Sequence, residues 1–351
     1  PLYNSVNLNK RCITLDLSDP DGVALFKRLV AHADFVAENF SPRVMGNLGL
    51  DYESLTQLKP DLVMASLSAY GAVGPWAHVP GIGGTIEPSS GMSALLGYPG
   101  GHPQNSGQMY PDPVAGLCGF AALALALLHR DRYGEGQYID LSMQEANFTF
   151  IGNEWLEYAA TGVVPGPQGN RHPKHAPHGI FPAAGSDQWL AISVTSEEAF
   201  ATLARILDFA AQTWGDEAQR KADELRLEQQ IAQRTALFDK HELSARLLAN
   251  GIAAAPVLDA SELVDEPSLR ERGTMVEVDH PEAGKLWQLA LPALLSKTPG
   301  GVTRPAPLQG QHSAEVFSTL AALSESEYGD LVERGLSGTG PTGKASVANQ
   351  A

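Results

Sequence analysis

Residues 11–40 read RCITLDLSDPDGVALFKRLVAHADFVAENF, and the change of hydrophobic period inside them decides the fold. RCITLDL alternates apolar and polar side chains, as a half-buried strand does. DPDGVALFKRLVAHA then takes helical spacing: Pro20 suits a first turn, and Val23, Phe26, Leu29 and Val30 fall on one face. DFVAENF returns to a strand. Further on, SPRVMGNLGL and DYESLTQLKP read as short helices and DLVMASLSA as another strand. Strand, helix and strand at this spacing imply parallel pairing, so the expected class is α/β.

The pattern continues outward. GQYIDLSM reads as a strand and QEANFTFIGNEWLEYAA as a helix; a Pro/Gly-rich passage, residues 162–179, marks a domain crossing. Beyond it, DQWLAISV, SEEAFATLARIL and IAAAPVLD form a different α/β unit, and two short helices, 313–322 and 325–334, end the fold.

The 351 residues are 43% hydrophobic and 18% charged, enough for a folded chain of two domains. A net charge of -16 repels nucleic-acid backbones and anionic membranes, and both are excluded as partners. Any phosphate site must be built locally from a few cations or helix N-termini. Cys12 and Cys118 lack metal-ligand spacing and read as small core residues in a reducing compartment. No metal site is expected, and the location is expected to be cytoplasmic. The apolar run Val114–Leu128 is shorter than the ~20 residues of a bilayer crossing and reads as a buried helix.

YPDPVAG, residues 110–116, sets Asp112 between a Gly/Pro-rich stretch and that run. Asp followed by Pro is a common helix start, and capping alone explains the pair. A helix apolar all round must be buried, however, and its N-terminus would deliver the carboxylate to an interior or a cleft floor. There desolvation raises the pKa while the helix dipole lowers it, and both bear on a nucleophile. Glycines 97, 100, 101 and 107 would offer backbone N–H donors to an oxyanion.

NKRCITLDLSDPDG, ADFVAENFSPRVMGNLGLDYESL, PDPVAGL, HRDRYGEGQYIDLSMQEA, GNRHP and GIAAAPVLDASELVDEPSLRERGTMVEVDHPEAG with APLQGQH run in order from Asn9 to Leu336. In this order they resemble the family III CoA-transferases, which include formyl-CoA and carnitine CoA-transferases, with α-methylacyl-CoA racemase as a relative. The resemblance implies a large Rossmann-like domain with a parallel sheet, residues 1–179 and 286–336, and a small α+β domain, 180–285, while the Gly, Ser, Thr and Ala content of the last stretch reads as a flexible tail, 337–351. It further implies an interlocked-ring homodimer and an N-terminal segment ahead of this start.

By the same resemblance Asp112 is the nucleophile that passes through a mixed anhydride and an aspartyl-CoA thioester. Leu15, Asn39 and Phe40 fall at CoA-binding positions. The arginine of the ENF block is Asn47 here, which leaves Arg43, Lys10 or Arg11 for the CoA phosphates. Gly100 and Gly101 would close over the acyl group, and Arg171 and His172 would partner an acceptor carboxylate. Plain alternatives stand beside these: core packing for Leu15 and Phe40, a turn for Asn39, a solvated charge for Arg43, and a linker tie for Arg171 and His172.

The Tyr-Glu pair of some members is Ile82-Gly83 here, and Glu87 in that block is either a site residue or a carboxylate on the next helix. The racemase histidine would fall at Ile82, with His78 nearby, so racemisation is the first alternative. A non-catalytic CoA-binding subunit is the second. Acyl-CoA and a carboxylic acid are the expected substrates, with no permanently bound cofactor.

Overall fold

The computed structural model describes residues 2–342, which fall into two compact units. The first holds residues up to 92, 105–160 and those from 267 onward; the second holds 93–104 and 161–266. The second unit thus differs from the span 180–285 expected for the small domain. It takes in the Pro/Gly-rich passage and leaves 267–285 to the first unit.

In the first unit β1 (Phe35–Glu38), β2 (Val63–Ser68) and β3 (Gln137–Ser142) pair in parallel in that order. The Pro20–Val30 helix precedes β1, with Pro20 in its first turn and the Asp19 side chain accepting the Asp21 N–H. Alternation in β2 splits the core. Met64 joins Val30, Met45, Leu50, Leu55 and Leu62 in one cluster, while Val63 and Ala65 pack with Leu123 and Ala126 in another.

Three expectations need correction. RCITLDL is not a strand: its backbone is satisfied by the C-terminal part of the chain. Cys12 N–H donates to His312 Nδ1 at 3.1 Å, Thr14 N–H to Ser313 Oγ at 3.1 Å and Asp16 N–H to the Leu336 carbonyl at 2.9 Å. Its apolar residues, Ile13 and Leu15, pack on Leu25, Phe317, Leu331 and Leu336. The alternation was real, but helices rather than a sheet receive it.

The apolar run forms the Pro111–Tyr133 helix, buried on one face only, through Val114, Ala115, Gly119, Leu123 and Ala126. Leu117, Phe120 and Leu125 are 70%, 72% and 69% exposed. By length and composition this 23-residue helix would suffice to cross a bilayer, longer than the run suggested. Its packed face lies against β2 and β3.

The flexible tail expected at 337–351 is not borne out at its first residues. Ser337 and Gly338 are buried, with the Thr14 hydroxyl donating to the Gly338 carbonyl at 2.5 Å and accepting its N–H at 2.9 Å. Residues 343–351 lie outside the described residues.

The second unit is built on an antiparallel sheet of β4 (His178–Pro182), β5 (Trp189–Ser193) and β6 (Ala253–Pro256). Phe181, Leu190 and Ile192 face a core with Phe200, Leu203, Leu207, Leu227, Ile231 and Leu243. The Arg220 guanidinium, 1% exposed, donates to Glu197 Oε1 and Oε2 at 2.9 and 2.8 Å and stacks over Phe200. A β7–β8 hairpin (Met275–His280, Gly284–Leu289) belongs to the first unit.

Candidate active site

The C-terminal ends of β1, β2 and β3 open onto a cavity of about 310 Å³ in the first unit. Parallel sheets bind ligands at this edge, because the loops leaving the strands splay apart there. Asn39 and Phe40 follow β1, Ser68, Ala69 and Tyr70 end and follow β2, and Met143 follows β3. Gly81–Gly83, Met109 and Asp112 complete the wall.

Asp112 is the second residue of its helix, after Pro111, and not the cap that its sequence setting suggested. Its carboxylate has no hydrogen bond or ion pair among the described residues. Burial pushes its carboxyl above the ordinary carboxylate value. The residue as a whole is exposed, so the group stands at the cavity mouth: partly desolvated, though not dry.

What fixes it is close packing around Gly83. A Cβ there would sit 2.7 Å from Asp112 Oδ2 and 2.6 Å from Met109 Cβ, so only glycine fits. Met109 itself has φ +48°, a left-handed backbone that non-glycine residues rarely adopt. The preceding loop is tied down by Glu87, 1% exposed, whose Oε1 and Oε2 accept the Ser106 N–H at 2.5 Å and its hydroxyl at 2.8 Å. Glu87 is therefore a buried anchor for the strand of chain that leads into Asp112.

The structure brings Asn39, Phe40 and Asp112 to one cavity. The Asn39 amide donates to the Leu67 carbonyl, which orients it, and Phe40 is 49% exposed on the wall. Arg43 lines a smaller adjoining cavity of about 120 Å³ with His78, and the two spaces share Ser41, Pro42, Ala77 and Val79. Leu15 lines neither and packs in the C-terminal helix cluster.

Gly100, Gly101, Arg171 and His172 belong to the second unit. Gly101 N–H is spent on the Tyr98 carbonyl at 2.9 Å, and Gly100 is exposed. The Arg171 fork holds Glu228 through Nε at 2.8 Å and Nη2 at 2.7 Å. His172 Nδ1 accepts the N–H groups of Lys174 and His175, both at 3.1 Å, and its ring stacks on His175. Residues that sequence reasoning passed over are Ser68, Tyr70, Met109 and Met143; each reads as an ordinary strand end or loop until the strands are aligned.

A cavity at the strand ends of a parallel sheet, with a helix-borne carboxylate on its wall, defines a small-molecule site in an α/β protein. Residues 1–313 match CoA-transferase family III, and the chain belongs to that family. It is 31% identical to the succinate–glutarate CoA-transferase of Agrobacterium fabrum over 92% of this chain and 81% of that one. Its identity to the succinyl-CoA–D-citramalate CoA-transferase of Chloroflexus aurantiacus is 34%, over 92% of this chain and 81% of that one. Among solved structures, a CaiB/BaiF family protein from Brucella suis superposes with a TM-score of 0.84 at 29% identity, covering 91% of this chain and 83% of the other. The chain is an enzyme that transfers CoA.

Proposed function

We propose that CoA moves between carboxylic acids through Asp112. An Asp112 oxygen attacks the acyl carbon of an acyl-CoA; the C–S bond breaks and CoA leaves as thiolate, giving a mixed anhydride. The thiolate returns to the aspartyl carbonyl, expels the donor's acid and leaves an aspartyl-CoA thioester. The acceptor carboxylate attacks that carbonyl and releases thiolate again, and the thiolate then takes the acceptor's acyl carbon and frees Asp112. Each step exchanges one acyl bond for another and consumes no water, so the acyl energy is kept.

The observation that carries this reading is the placement of Asp112 on a cavity at the strand ends, with its carboxyl raised by desolvation. Asn39 and Phe40 would hold the CoA arm at the wall, and Arg43 in the adjoining space would meet its phosphates. Gly100, Gly101, Arg171 and His172 are assigned to substrate by the resemblance. The relatives named above point to succinyl-CoA as donor and a short dicarboxylic acid as acceptor. We further propose a cytoplasmic homodimer, with residues 161–266 acting as an inserted domain.

The test is to mix the protein with succinyl-CoA and a panel of four- and five-carbon dicarboxylic acids, quench with hydroxylamine, and map the adduct by mass spectrometry. A hydroxamate on Asp112, together with loss of at least about a thousandfold in kcat for Asp112→Asn, is expected. Exchange that survives in Asp112→Asn overturns the assignment.

A further inference from the structure

Ser68 ends β2 and lies on the wall of the Asp112 cavity. It is 4% exposed, and its Oγ meets no hydrogen-bond partner among the described residues. Among the described residues three buried side-chain atoms share that condition, Ser68 Oγ, Asn147 Oδ1 and Ser337 Oγ, and of these only the first belongs to a residue of this cavity. A buried hydroxyl is ordinarily paired, because it has given up its water hydrogen bonds.

The polar groups on and beside the end of β2 have partners of their own. Ser66, on the same side of β2, bonds Tyr138; Ser142, opposite Ser68 in the sheet register, accepts the Glu145 N–H; Asn39 donates to the Leu67 carbonyl. Ser68 therefore holds a donor that the fold itself does not use. The Oγ is sealed from solvent in its present rotamer, and a serine, with one χ1 and a freely turning O–H, can re-aim that donor without moving backbone.

We infer that the Ser68 hydroxyl donates to the carbonyl oxygen of the thioester that Asp112 attacks. As the Asp112 oxygen bonds to the acyl carbon, the carbonyl electron pair moves onto oxygen. The Ser68 hydrogen bond stabilises that oxyanion until it collapses, the C–S bond breaks and thiolate departs; Ser68 keeps its proton throughout. This rests on the Asp112 reading, since the same cavity must hold nucleophile and electrophile.

The experiment compares wild type, Ser68→Ala and Ser68→Cys in steady-state exchange with succinyl-CoA, in hydroxylamine trapping and in ligand-free thermal melting. Ser68→Ala should lower kcat about 10- to 100-fold while the KM for acyl-CoA changes less than about threefold. The weak S–H donor of Ser68→Cys should fall between. The ligand-free melting temperature of Ser68→Ala should equal or exceed that of wild type, because deleting an orphaned buried hydroxyl removes a cost. A merely structural serine would not lose turnover while holding stability. A wild-type kcat in Ser68→Ala, or a loss confined to KM, overturns the inference. Trapping separates the failures: no Asp112 adduct in wild type defeats the nucleophile, whereas equal adduct rates in wild type and Ser68→Ala defeat Ser68 alone.

Discussion

In the mechanism proposed above Asp112 attacks in its charged form, whereas burial favours the neutral one. Because burial raises its carboxyl, kcat/KM should fall on the acid side along a limb displaced above the ordinary carboxylate value, as a pH–rate profile would show. The same shift has a stability sign. The folded chain holds this proton more tightly than the unfolded chain, so the stabilisation is fully present below the unfolded pKa and is lost as pH rises through the folded pKa. Asp112→Asn should thus melt at or above wild type at neutral pH, with the difference shrinking as pH falls through the raised folded pKa and gone below about pH 4, the unfolded range. Gly83→Ala, by contrast, sets a methyl 2.7 Å from Asp112 Oδ2 and should cost both activity and about 1–3 kcal/mol in urea melts. Asp112 was legible in the sequence because prolines and an apolar run frame it. Ser68 and Gly83 were not, since an orphaned hydroxyl and a forbidden Cβ exist only once distant strands and loops meet.

At the level of elements, the parallel sheet was readable because β2 is a nearly continuous buried run, β1 and β3 carry aromatic and β-branched residues, and the Pro20–Val30 helix carries its own start signal. The segment RCITLDL misled because alternation reports one buried face and says nothing of what covers it. Its true course depends on Gly22, where a Cβ would lie 1.9 Å from the Asp16 carbonyl oxygen. Gly22→Ala must push the extended segment off the helix start, and a loss of at least about 1–3 kcal/mol in urea unfolding is expected. The QEANFTFIGNEWLEYAA helix was also read as one piece, whereas the chain forms Met143–Phe148 and Gly152–Thr161 with a tighter 3₁₀ turn between. A run of good helix formers does not reveal such a break.

For the whole molecule, a net charge of -16 favours solubility, while Leu117, Phe120, Leu125 and Leu128 leave one side of the Pro111–Tyr133 helix apolar and uncovered. On the homodimer proposed above, that side is where a second copy belongs. Phe120→Glu should then shift sedimentation from dimer toward monomer; an unchanged dimer would place the contact elsewhere. The inward stripe of the helix was legible as small and apolar residues, but an all-round apolar sequence cannot say how much of itself its own chain covers.

On the mechanism proposed above, Asp112 would carry its anhydride at a cavity mouth, in reach of water. An acyl anhydride in reach of solvent is hydrolysed, and each such event squanders a thioester and turns a transferase into a slow thioesterase. The proportion of succinyl-CoA that decays without an acceptor, measured against the proportion exchanged, is accordingly a gauge of how well the working enzyme seals that opening.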